Sequence, residues 1–549
     1  MDTSKLKLVV LLDSYVVPAW VYSCLERIAS SASAAISLVV LNENPPPGRP
    51  GLSCLYKEPR KFVYRLLDTF DGMMFNKGCD ALTPTSLNQL LADVPVLRVS
   101  TRHTGESETF TESAVDAIES YHPDILVQFG FGHLEGAIQS AARYGLWAYE
   151  HGDGSEPPGL WETVERRPET TSMLGMCRGG RDQGTILHRS HFFTYPLSPA
   201  RNRSYLLWAS SPFLPRQIQR LHRLGEDQFL RAAERYNGAF RFHDRPQYRT
   251  PSNLNALWLA GKLLARLLVE AYRRVIFRDT WYLLFDLGHG GNLAFCNFKK
   301  ILPPKDRFWA DPHVIHSGNR YYVFIEEYIH DVKRGHISVI EIDENGSFTP
   351  PVPVLRAPYH LSYPFVFEYD GRYYMVPESA ENRTVDLYEC IGFPNEWVFK
   401  RTLMRNVKAL DTTLLYRRGK WWLFSAIAEH EAAFPQVELF LFSSDTLFTE
   451  EWKPHPLNPI VSDIKRARPA GRIFERDGRL YRPSQDCSRA YGYGFDLNEI
   501  LDLSTTDYVE QQRFSARPYW DRMVQASHTF ATAGALTVID AFTRRSRLL

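Results

Sequence analysis

The sequence predicts two folds in one chain of 549 residues, an α/β domain with a parallel sheet followed by an all-β propeller. The first prediction rests on two short apolar runs, Leu6 to Leu12 and Ala35 to Leu41, with a helical pattern between them. Apolar strands bridged by a helix are typical of a parallel sheet that is buried on both faces. The second rests on a repeat of about 50 residues in the C-terminal half, which is the length of a four-stranded propeller blade.

The α/β domain is predicted over residues 1–220. After the first two strands, the pattern predicts a third strand at Val96 to Ser100, a helix at Ser113 to Ser120 and a fourth strand at Ile125 to Phe129. No GxGxxG follows the first strand, so a dinucleotide site of the common kind is not expected.

His151 lies downstream of the fourth predicted strand and should lie near the carboxyl edge of the parallel sheet. Open α/β sheets bind ligands at that edge. A loop with Pro157, Pro158 and Gly159 comes next, and Asp182 precedes another predicted strand. The alternative for His151 is a structural polar group at a strand end.

This order of elements resembles the formyltransferases that use formyl-tetrahydrofolate, including those acting on amino sugars and on initiator methionyl-tRNA. The active site of that family consists of Asn, His and Asp. His151 and Asp182 match the last two, and Tyr149 occupies the Asn position. The resemblance implies that formyl-tetrahydrofolate is the cofactor, that His151 stabilises an oxyanion or relays a proton, and that Asp182 orients it and accepts the amine proton. A phenol donates one hydrogen bond and does not reproduce a carboxamide.

Composition limits the partners and the compartment. The chain has 64 Lys plus Arg against 63 Asp plus Glu, so no basic field indicates a nucleic-acid partner. The seven cysteines are scattered and lack CxxC spacing, which argues against disulfides and a zinc site, and no metal site is predicted. The first apolar strand is too short, and too promptly followed by Asp13, for a signal peptide or a membrane span. A cytoplasmic protein is expected.

A helical connector is predicted over residues 221–279. Its main helix, Asn253 to Phe277, has leucines at helical spacing, interrupted by four basic residues that argue against a transmembrane segment. A packed helix between two domains is one interpretation. A basic amphipathic helix lying on anionic lipid is the other.

The propeller is predicted over residues 280–549 from four aligned repeats. They start at Asp311, Tyr363, Asp411 and Ala470, which are 52, 48 and 59 residues apart, and each start lies ten residues before a pair of apolar or aromatic residues. Each repeat contains an X-Gly pair typical of a hairpin. A fifth blade is expected from His528 to Phe542 together with Thr280 to Leu287, which would close the ring.

This half resembles the five-bladed propeller glycosidases that include arabinanases and xylosidases, and more closely the amino-terminal domain of the plant glucosamine inositolphosphorylceramide transferases. In the glycosidases the first blade supplies an Asp base, the third an Asp that tunes pKa, and the fourth a Glu acid. Asp311 and Asp411 match the first two, whereas the fourth blade has Ala470 in place of an acid. Because inverting hydrolysis needs a carboxylic acid, this departure disfavours hydrolysis unless Glu378 replaces it.

The predicted pocket combines carboxylates and aromatic faces, which suit sugar hydroxyls, with cations that suit phosphate or carboxylate. The predicted substrate-binding residues are Asp311, Glu327, Glu378, Asp411, Arg468, Arg482, Gln485, Asp486 and His528. The alternative is that Asp-Pro and Asp-Gly pairs only shape turns.

These patterns together predict a carbohydrate-modifying transferase that moves a formyl group onto an amino sugar, with the propeller binding the glycan. The expected partner is a carbohydrate or nucleotide-sugar substrate. Two other classes stay open: a propeller glycoside hydrolase, and a non-catalytic glycan-binding protein with a degenerate formyltransferase domain.

Overall fold

The computed structural model describes residues 4–44, 59–104, 107–152, 157–179, 184–234, 239–240, 250–288 and 294–547. The chain forms two compact units. We call them unit 1, Met1–Leu268 with Glu429–Ala433, and unit 2, Val269–Ala428 with Phe434–Leu549.

Unit 1 contains thirteen described strands and begins with the predicted apolar run. The strands are β1 (Leu6–Leu12), β2 (Val16–Pro18), β3 (Ala34–Asn42), β4 (Pro84–Ser86), β5 (Val96–Val99), β6 (Arg102–Thr104), β7 (Ser107–Thr109), β8 (Ile125–Gln128), β9 (His133–Glu135), β10 (Leu146–His151), β11 (Glu169–Cys177), β12 (Gly184–Phe193) and β13 (Ala239–Phe240). The helices are α1 (Ala19–Ala29), α2 (Phe62–Phe75), α3 (Glu112–Glu119), α4 (Leu160–Glu165), α5 (Pro199–Ser210), α6 (Phe213–Leu224), α7 (Glu226–Ala233) and α8 (Asn253–Ile276), whose last residues belong to unit 2.

The main sheet of unit 1 has the order β13-β12-β11-β10-β8-β1-β3-β5. The five strands from β10 to β5 are parallel, and β10, β11, β12 and β13 pair antiparallel. The prediction of a parallel sheet therefore holds for part of it, and the sheet as a whole is mixed. Strand β12 matches the strand expected after Asp182, whereas β11 and β13 were not predicted, because antiparallel connections need no crossover helix and so lack the strand-helix-strand pattern.

The parallel strands form where the sequence is continuously apolar. Residues Leu8 to Leu12 of β1 are almost completely buried because β1 lies between β3 and β8 in the sheet. Helix α3 begins after Thr111, whose hydroxyl accepts the Ala114 N–H as an N-cap. Among the helices that the structure describes, none combines the length and the apolarity needed to span a membrane.

Unit 2 consists of five small sheets. Its strands are β14 (Phe277–Asp286), β15 (Lys299–Ile301), β16 (Arg307–Ser317), β17 (Arg320–Ile329), β18 (Arg334–Asp343), β19 (Val352–Leu355), β20 (Ser362–Tyr369), β21 (Arg372–Ser379), β22 (Thr384–Gly392), β23 (Glu396–Arg405), β24 (Ala409–Arg417), β25 (Lys420–Ile427), β26 (Glu438–Ser444), β27 (Lys453–Pro454), β28 (Val461–Ser462), β29 (Phe474–Arg476), β30 (Arg479–Asp486), β31 (Gly494–Leu503), β32 (Tyr508–Ala516), β33 (Phe530–Ala533) and β34 (Leu536–Ser546).

The sheets are the blades of a propeller. Blades 1 to 4 are β16–β19, β20–β23, β24–β28 and β29–β32, each built from strands consecutive in sequence. Blade 5 has the order β15-β14-β34-β33 and joins the first strands of the unit to the last. Strand β14 pairs with β34 over ten residues, from Phe277 opposite Ser546 to Asp286 opposite Thr537. The predicted five-bladed propeller, including the closure of its fifth blade, is confirmed.

The repeat in the sequence corresponds to a repeated backbone distortion. Asp311, Tyr363 and Asp411 have φ angles of 52°, 41° and 50°, and the pairing register shifts at each of them. A bulge with one left-handed residue bends the strand and changes the direction of that side chain. Outer turns repeat as well: Asp370-Gly371 and Asp477-Gly478 have positive φ at both positions, as tight hairpin turns require.

Candidate functional site

The bulged residues of blades 1 to 3 meet in the interior of unit 2. The Tyr363 backbone N–H donates to Asp311 Oδ2 at 3.2 Å, and the Tyr363 hydroxyl accepts the Gly471 N–H at 2.8 Å. The same hydroxyl lies 2.8 Å from Thr413 Oγ1. Because Tyr363 is completely buried, its pKa is raised well above the ordinary value and the phenol stays neutral. Tyr363 thus links four blades at their inner ends.

Asp411 is the most enclosed carboxylate of this group, with 0% exposure. Arg468 donates to it twice, from Nε to Oδ2 at 2.6 Å and from a terminal nitrogen to Oδ1 at 3.2 Å. The Gln485 amide donates to Oδ2 at 2.7 Å. In turn the Asp411 backbone N–H donates to Glu378 Oε2 at 3.2 Å, and Arg468 lies 3.5 Å from the same oxygen. Four predicted site residues are therefore brought together.

Two glutamates next to this group have raised pKa values, so their protonated forms are favoured. Burial raises the pKa of Glu378 well above its usual range, the neighbouring Asp411 raises it further, and Arg468 only partly opposes this. Burial and the nearby Asp311 likewise raise the pKa of Glu326. The pKa of Asp311 itself is raised to about 6, chiefly by burial, although His528 opposes the shift. Burial therefore favours the protonated form of three carboxyl groups in this centre, those of Asp311, Glu326 and Glu378.

His528 lies between two aspartates at the closing blade. Its Nε2 is 3.3 Å from Asp311 Oδ1 and its Nδ1 is 2.6 Å from Asp540 Oδ2. Burial lowers the pKa of His528, but Asp540 and Asp311 outweigh burial and the net shift is upward. One ligand atom from each of the three residues falls within 4.8 Å of the others, a spacing that suits a metal ion. A protonated His528 pairs with both carboxylates without one, and we interpret the group as an ion-pair network.

One aromatic side chain connects this centre to solvent. Tyr491, in the loop between β30 and β31, is 44% exposed. The Arg468 guanidinium lies 5.0 Å from its ring centroid, and the His528 ring is 5.3 Å away. We call Asp311, Glu326, Tyr363, Glu378, Asp411, Arg468, Gln485, Tyr491, His528 and Asp540 the central site.

Three predicted substrate-binding residues make their contacts elsewhere. Glu327 accepts hydrogen bonds from Arg307, Trp309 and Ser338 and lies 3.1 Å from His336. Arg482 pairs with Glu510 at 2.8 Å, and Asp486 pairs with Arg517 at 2.8 Å. Each of the three has its charge satisfied by these partners, so we assign them to the packing of their blades. Whether they bind substrate stays a prediction.

The sequence interpretation missed Tyr491 and Asp540. Asp540 had a usable signal, because it is an acid within the apolar run Val538-Ile539-Asp540-Ala541 of a strand expected to close the ring. A buried acid in such a strand needs a partner. Tyr491 had no such signal, since a tyrosine in a loop is common.

In unit 1 the predicted catalytic residues are only partly described, because Asp182 lies outside the described residues. The Tyr149 hydroxyl donates to Ser210 O at 3.1 Å and accepts the Leu214 N–H at 3.0 Å. Its one proton is used, so Tyr149 has no donor left for a formyl oxygen. These contacts do not fit the role that the family gives to Asn at this position.

His151 is more enclosed than an exposed catalytic base. Its Nδ1 lies 3.0 Å from Ser172 Oγ, its ring stacks on Tyr149 and meets the edge of Trp20. Burial lowers the pKa of His151 to about 4, so the imidazole is neutral at pH 7. The described residues thus give no support for binding formyl-tetrahydrofolate here.

Comparison with known proteins identifies relatives of the propeller. The family "Glucosamine inositolphosphorylceramide transferase 1, N-terminal" matches residues 295–517. The Arabidopsis thaliana protein named glucosamine inositolphosphorylceramide transferase 1 is 35% identical over 207 residues, which cover 37% of this chain and 27% of that protein. The Oryza sativa subsp. japonica protein of the same name is 34% identical over 206 residues, with the same coverage. The chain thus spans about a quarter of the length of these relatives.

Two solved structures show weaker similarity. The catalytic domain of a Coprinopsis cinerea alpha-L-arabinofuranosidase has 14% identity and a TM-score of 0.33, covering 50% of this chain and 98% of that one. An exo-1,5-alpha-L-arabinanase from a bovine ruminal metagenomic library has 14% identity and a TM-score of 0.30, covering 44% of this chain and 94% of that one. Similarity at this level carries no information on function. The predicted resemblance of the propeller to the transferase amino-terminal domain is confirmed, and formyl transfer finds no support in these relatives.

Proposed function

We propose that this chain is a carbohydrate-modifying protein of the transferase type, and that the central site of its propeller binds an amino sugar. The proposal draws on the names of the relatives, which contain both glucosamine and transferase, and on the position of the match within the propeller. It draws above all on the charges of the central site.

The central site has more acids than bases. Its five carboxyl groups belong to Asp311, Glu326, Glu378, Asp411 and Asp540, and its two cations to Arg468 and His528. This imbalance is the observation that carries the proposal, because an ammonium group entering between Glu326 and Glu378 would favour their ionised forms. A neutral sugar would gain only hydrogen bonds there. An amino sugar is therefore the ligand that the charge of the site favours.

Tyr491 supplies the apolar part of such a site. Its ring is partly exposed above Arg468 and His528. Sugar rings pack their C–H faces on aromatic side chains, and this contact would orient the amine toward the carboxyl groups below.

Titration calorimetry with glucosamine and glucose tests the proposal. Glucosamine should bind at least about tenfold more tightly at pH 7, since one charge-assisted hydrogen bond contributes about 1.5–3 kcal/mol. Binding should also release protons, measurable as a heat that depends on the ionisation enthalpy of the buffer. Glu378→Gln should reduce the preference, whereas Glu341→Gln, at a partly exposed ion pair of β18, is the matched control. Equal binding of both sugars, or binding of neither, would contradict the proposal.

Glycoside hydrolysis is a second candidate, favoured by Glu378. The fourth blade has no acid, but Glu378 contacts Asp411 and Arg468 and its raised pKa keeps a proton available. Release of nitrophenol from arabinoside or xyloside substrates, abolished in Glu378→Gln, would establish hydrolysis. Sugar binding without turnover of any tested glycoside would leave the transferase and the non-catalytic glycan-binding alternatives.

A further inference from the structure

Unit 1 has an unusual concentration of exposed apolar side chains on two helices. Of the thirteen large apolar side chains that are exposed in the described part of unit 1, ten belong to α2 and α8. We call these ten the apolar face. They are Phe62, Leu66, Phe70, Met73, Met74, Leu254, Leu257, Trp258, Leu264 and Leu268.

Helix α2 turns its apolar side to solvent, whereas an ordinary surface helix turns its apolar side to the core. Phe62, Leu66, Phe70 and Met73 follow each other at helical spacing and point to solvent, with Phe70 61% and Met73 70% exposed. The acids of the helix point inward. Asp68 pairs with the buried Arg203 at 2.8 Å and Asp71 accepts the Ser198 hydroxyl at 2.9 Å. The apolar side of α2 is therefore the side without a covering layer among the described residues.

Helix α8 extends the same surface. The Asn253 side chain, at the start of α8, donates to Pro59 O at 2.7 Å and accepts the Val63 N–H at 2.9 Å. This fixes the N-terminal ends of the two helices to each other. Between them lies a groove of about 350 Å³ whose lining is mostly apolar, with Leu67, Met74, Leu263 and Leu267 among its residues, and Asp68 and Asp71 also line it.

The charges around the apolar face are basic. Arg60 and Lys77 are exposed at the two ends of α2, and the Lys262 ammonium lies 3.6 Å from the Trp258 ring centroid. The part of α8 in unit 1, Asn253 to Leu268, contains no acidic residue. Docking of two copies through this face would bring like charges together, which is unfavourable. An anionic surface is complementary to it.

We propose that the apolar face docks on a lipid bilayer that contains anionic lipids, with α2 and α8 lying in the interface and the groove between them taking an acyl chain. Helices that lie in the interface have Phe, Leu and Trp on one side and Lys or Arg beside them. Trp and Lys are also the residues that anchor at the level of the headgroups. The exposed apolar residues at helical spacing along α2, and the contact between Trp258 and Lys262 on α8, match this arrangement.

Flotation of the full chain with vesicles tests the proposal. Phosphatidylcholine vesicles containing phosphatidylserine should carry the protein upward, and pure phosphatidylcholine vesicles should carry less of it, because the basic residues attract anionic lipid. The double variant Phe70→Ser with Met73→Ser should reduce the bound fraction by at least about tenfold. Lys262→Glu should weaken binding to the anionic vesicles only.

Exposed apolar residues of the same unit provide the control. Val16→Ser and Tyr121→Ser change side chains that are 55% and 37% exposed but belong to β2 and to the turn after α3, and they should leave flotation unchanged. Unchanged circular dichroism and melting temperature would show that each variant is folded. The proposal is overturned if the parent chain fails to float with either vesicle, or if the double variant floats equally well. A change from dimer to monomer in the double variant, without vesicle binding by the parent, would assign the face to a second copy and also overturn it.

Discussion

Removing the Arg468 side chain tests how the central site is held together. In Arg468→Met the buried Asp411 loses two charge-assisted hydrogen bonds and keeps the one from Gln485. At about 1.5–3 kcal/mol for each of the two bonds, the expected loss is about 3–6 kcal/mol, which overlaps the cost of leaving one partner of a buried ion pair uncompensated. Methionine retains most of the volume, so the effect reports on charge rather than on a cavity.

Urea unfolding followed by tryptophan fluorescence measures this loss as a decrease in the free energy of unfolding. The value is taken from the unfolding transition whose midpoint differs between the parent chain and Arg468→Met. Asp411→Asn in the same background removes the uncompensated charge, so the double variant should be at least about 2 kcal/mol more stable than Arg468→Met alone. Arg544→Met, which breaks the exposed pair with Asp279, should cost less than about 1 kcal/mol. A loss below about 1 kcal/mol in Arg468→Met would show that water reaches Asp411, and it would refute the picture of a closed, ion-paired centre.

Three further predictions follow from single positions. Glu327 has its pKa lowered to about 2, because hydrogen bonds from four neighbours, His336, Ser338, Arg307 and Trp309, outweigh the effect of burial. The free energy of unfolding of unit 2 should therefore fall by about 3 kcal/mol as the pH falls from about 4.5 to 2. A series of thermal melts at different pH values should show this loss in the parent chain and not in Glu327→Gln. Gly471→Ala should destabilise by more than about 2 kcal/mol, since its Cβ would lie 2.1 Å from Phe530 O, whereas Gly478→Ala, with open space around it, should cost about 1 kcal/mol in the same unfolding assay. Affinity for glucosamine should rise as the pH rises above the ordinary carboxyl range, because binding releases protons from Glu378, and a pH-independent dissociation constant would contradict this.

The propeller was predictable because its signals are local and repeated. Asp370-Gly371 and Asp477-Gly478 have the backbone that a tight hairpin turn demands, and this demand selects glycine at the second position. Asp311 and Asp411 each lie ten residues before an aromatic pair, at Tyr321 and Trp421, so alignment of the repeats placed both at the inner ends of their blades.

Partners that come from distant segments were not predictable. Arg482 was expected at the centre as a cation suited to phosphate or carboxylate, but its guanidinium pairs with Glu510 on the outermost strand of its own blade. Successive side chains of a strand point to opposite faces of the sheet, so a shift of one residue moves a side chain to the other face. The sequence does not show which face carries the partner of that side chain.

In unit 1 a similar order of motifs did not establish similar chemistry. The order of strand, His151 and loop was the basis of the predicted resemblance, and β10 does end at His151, but the sheet is mixed and no formyltransferase-like domain is shown. Reaction chemistry depends on free hydrogen-bonding atoms, however, and Tyr149 uses its hydroxyl on the backbone of Ser210 and Leu214. Fold class can follow from the pattern of elements, whereas catalysis needs the contacts.

Glu326 and Glu327 show how the energetics separate structural from functional acids. They are adjacent on β17 and their side chains point to opposite faces, and their pKa values shift in opposite directions. The lowered pKa of Glu327 contributes stability above about pH 4.5, which identifies it as structural. The raised pKa of Glu326 has the opposite sign, so its stabilising contribution is lost as the pH rises above the unfolded value near 4.3. At neutral pH the folded chain therefore retains in Glu326 an acid that lowers its stability, as is common at functional sites. A cationic ligand that binds only the folded state would offset this cost.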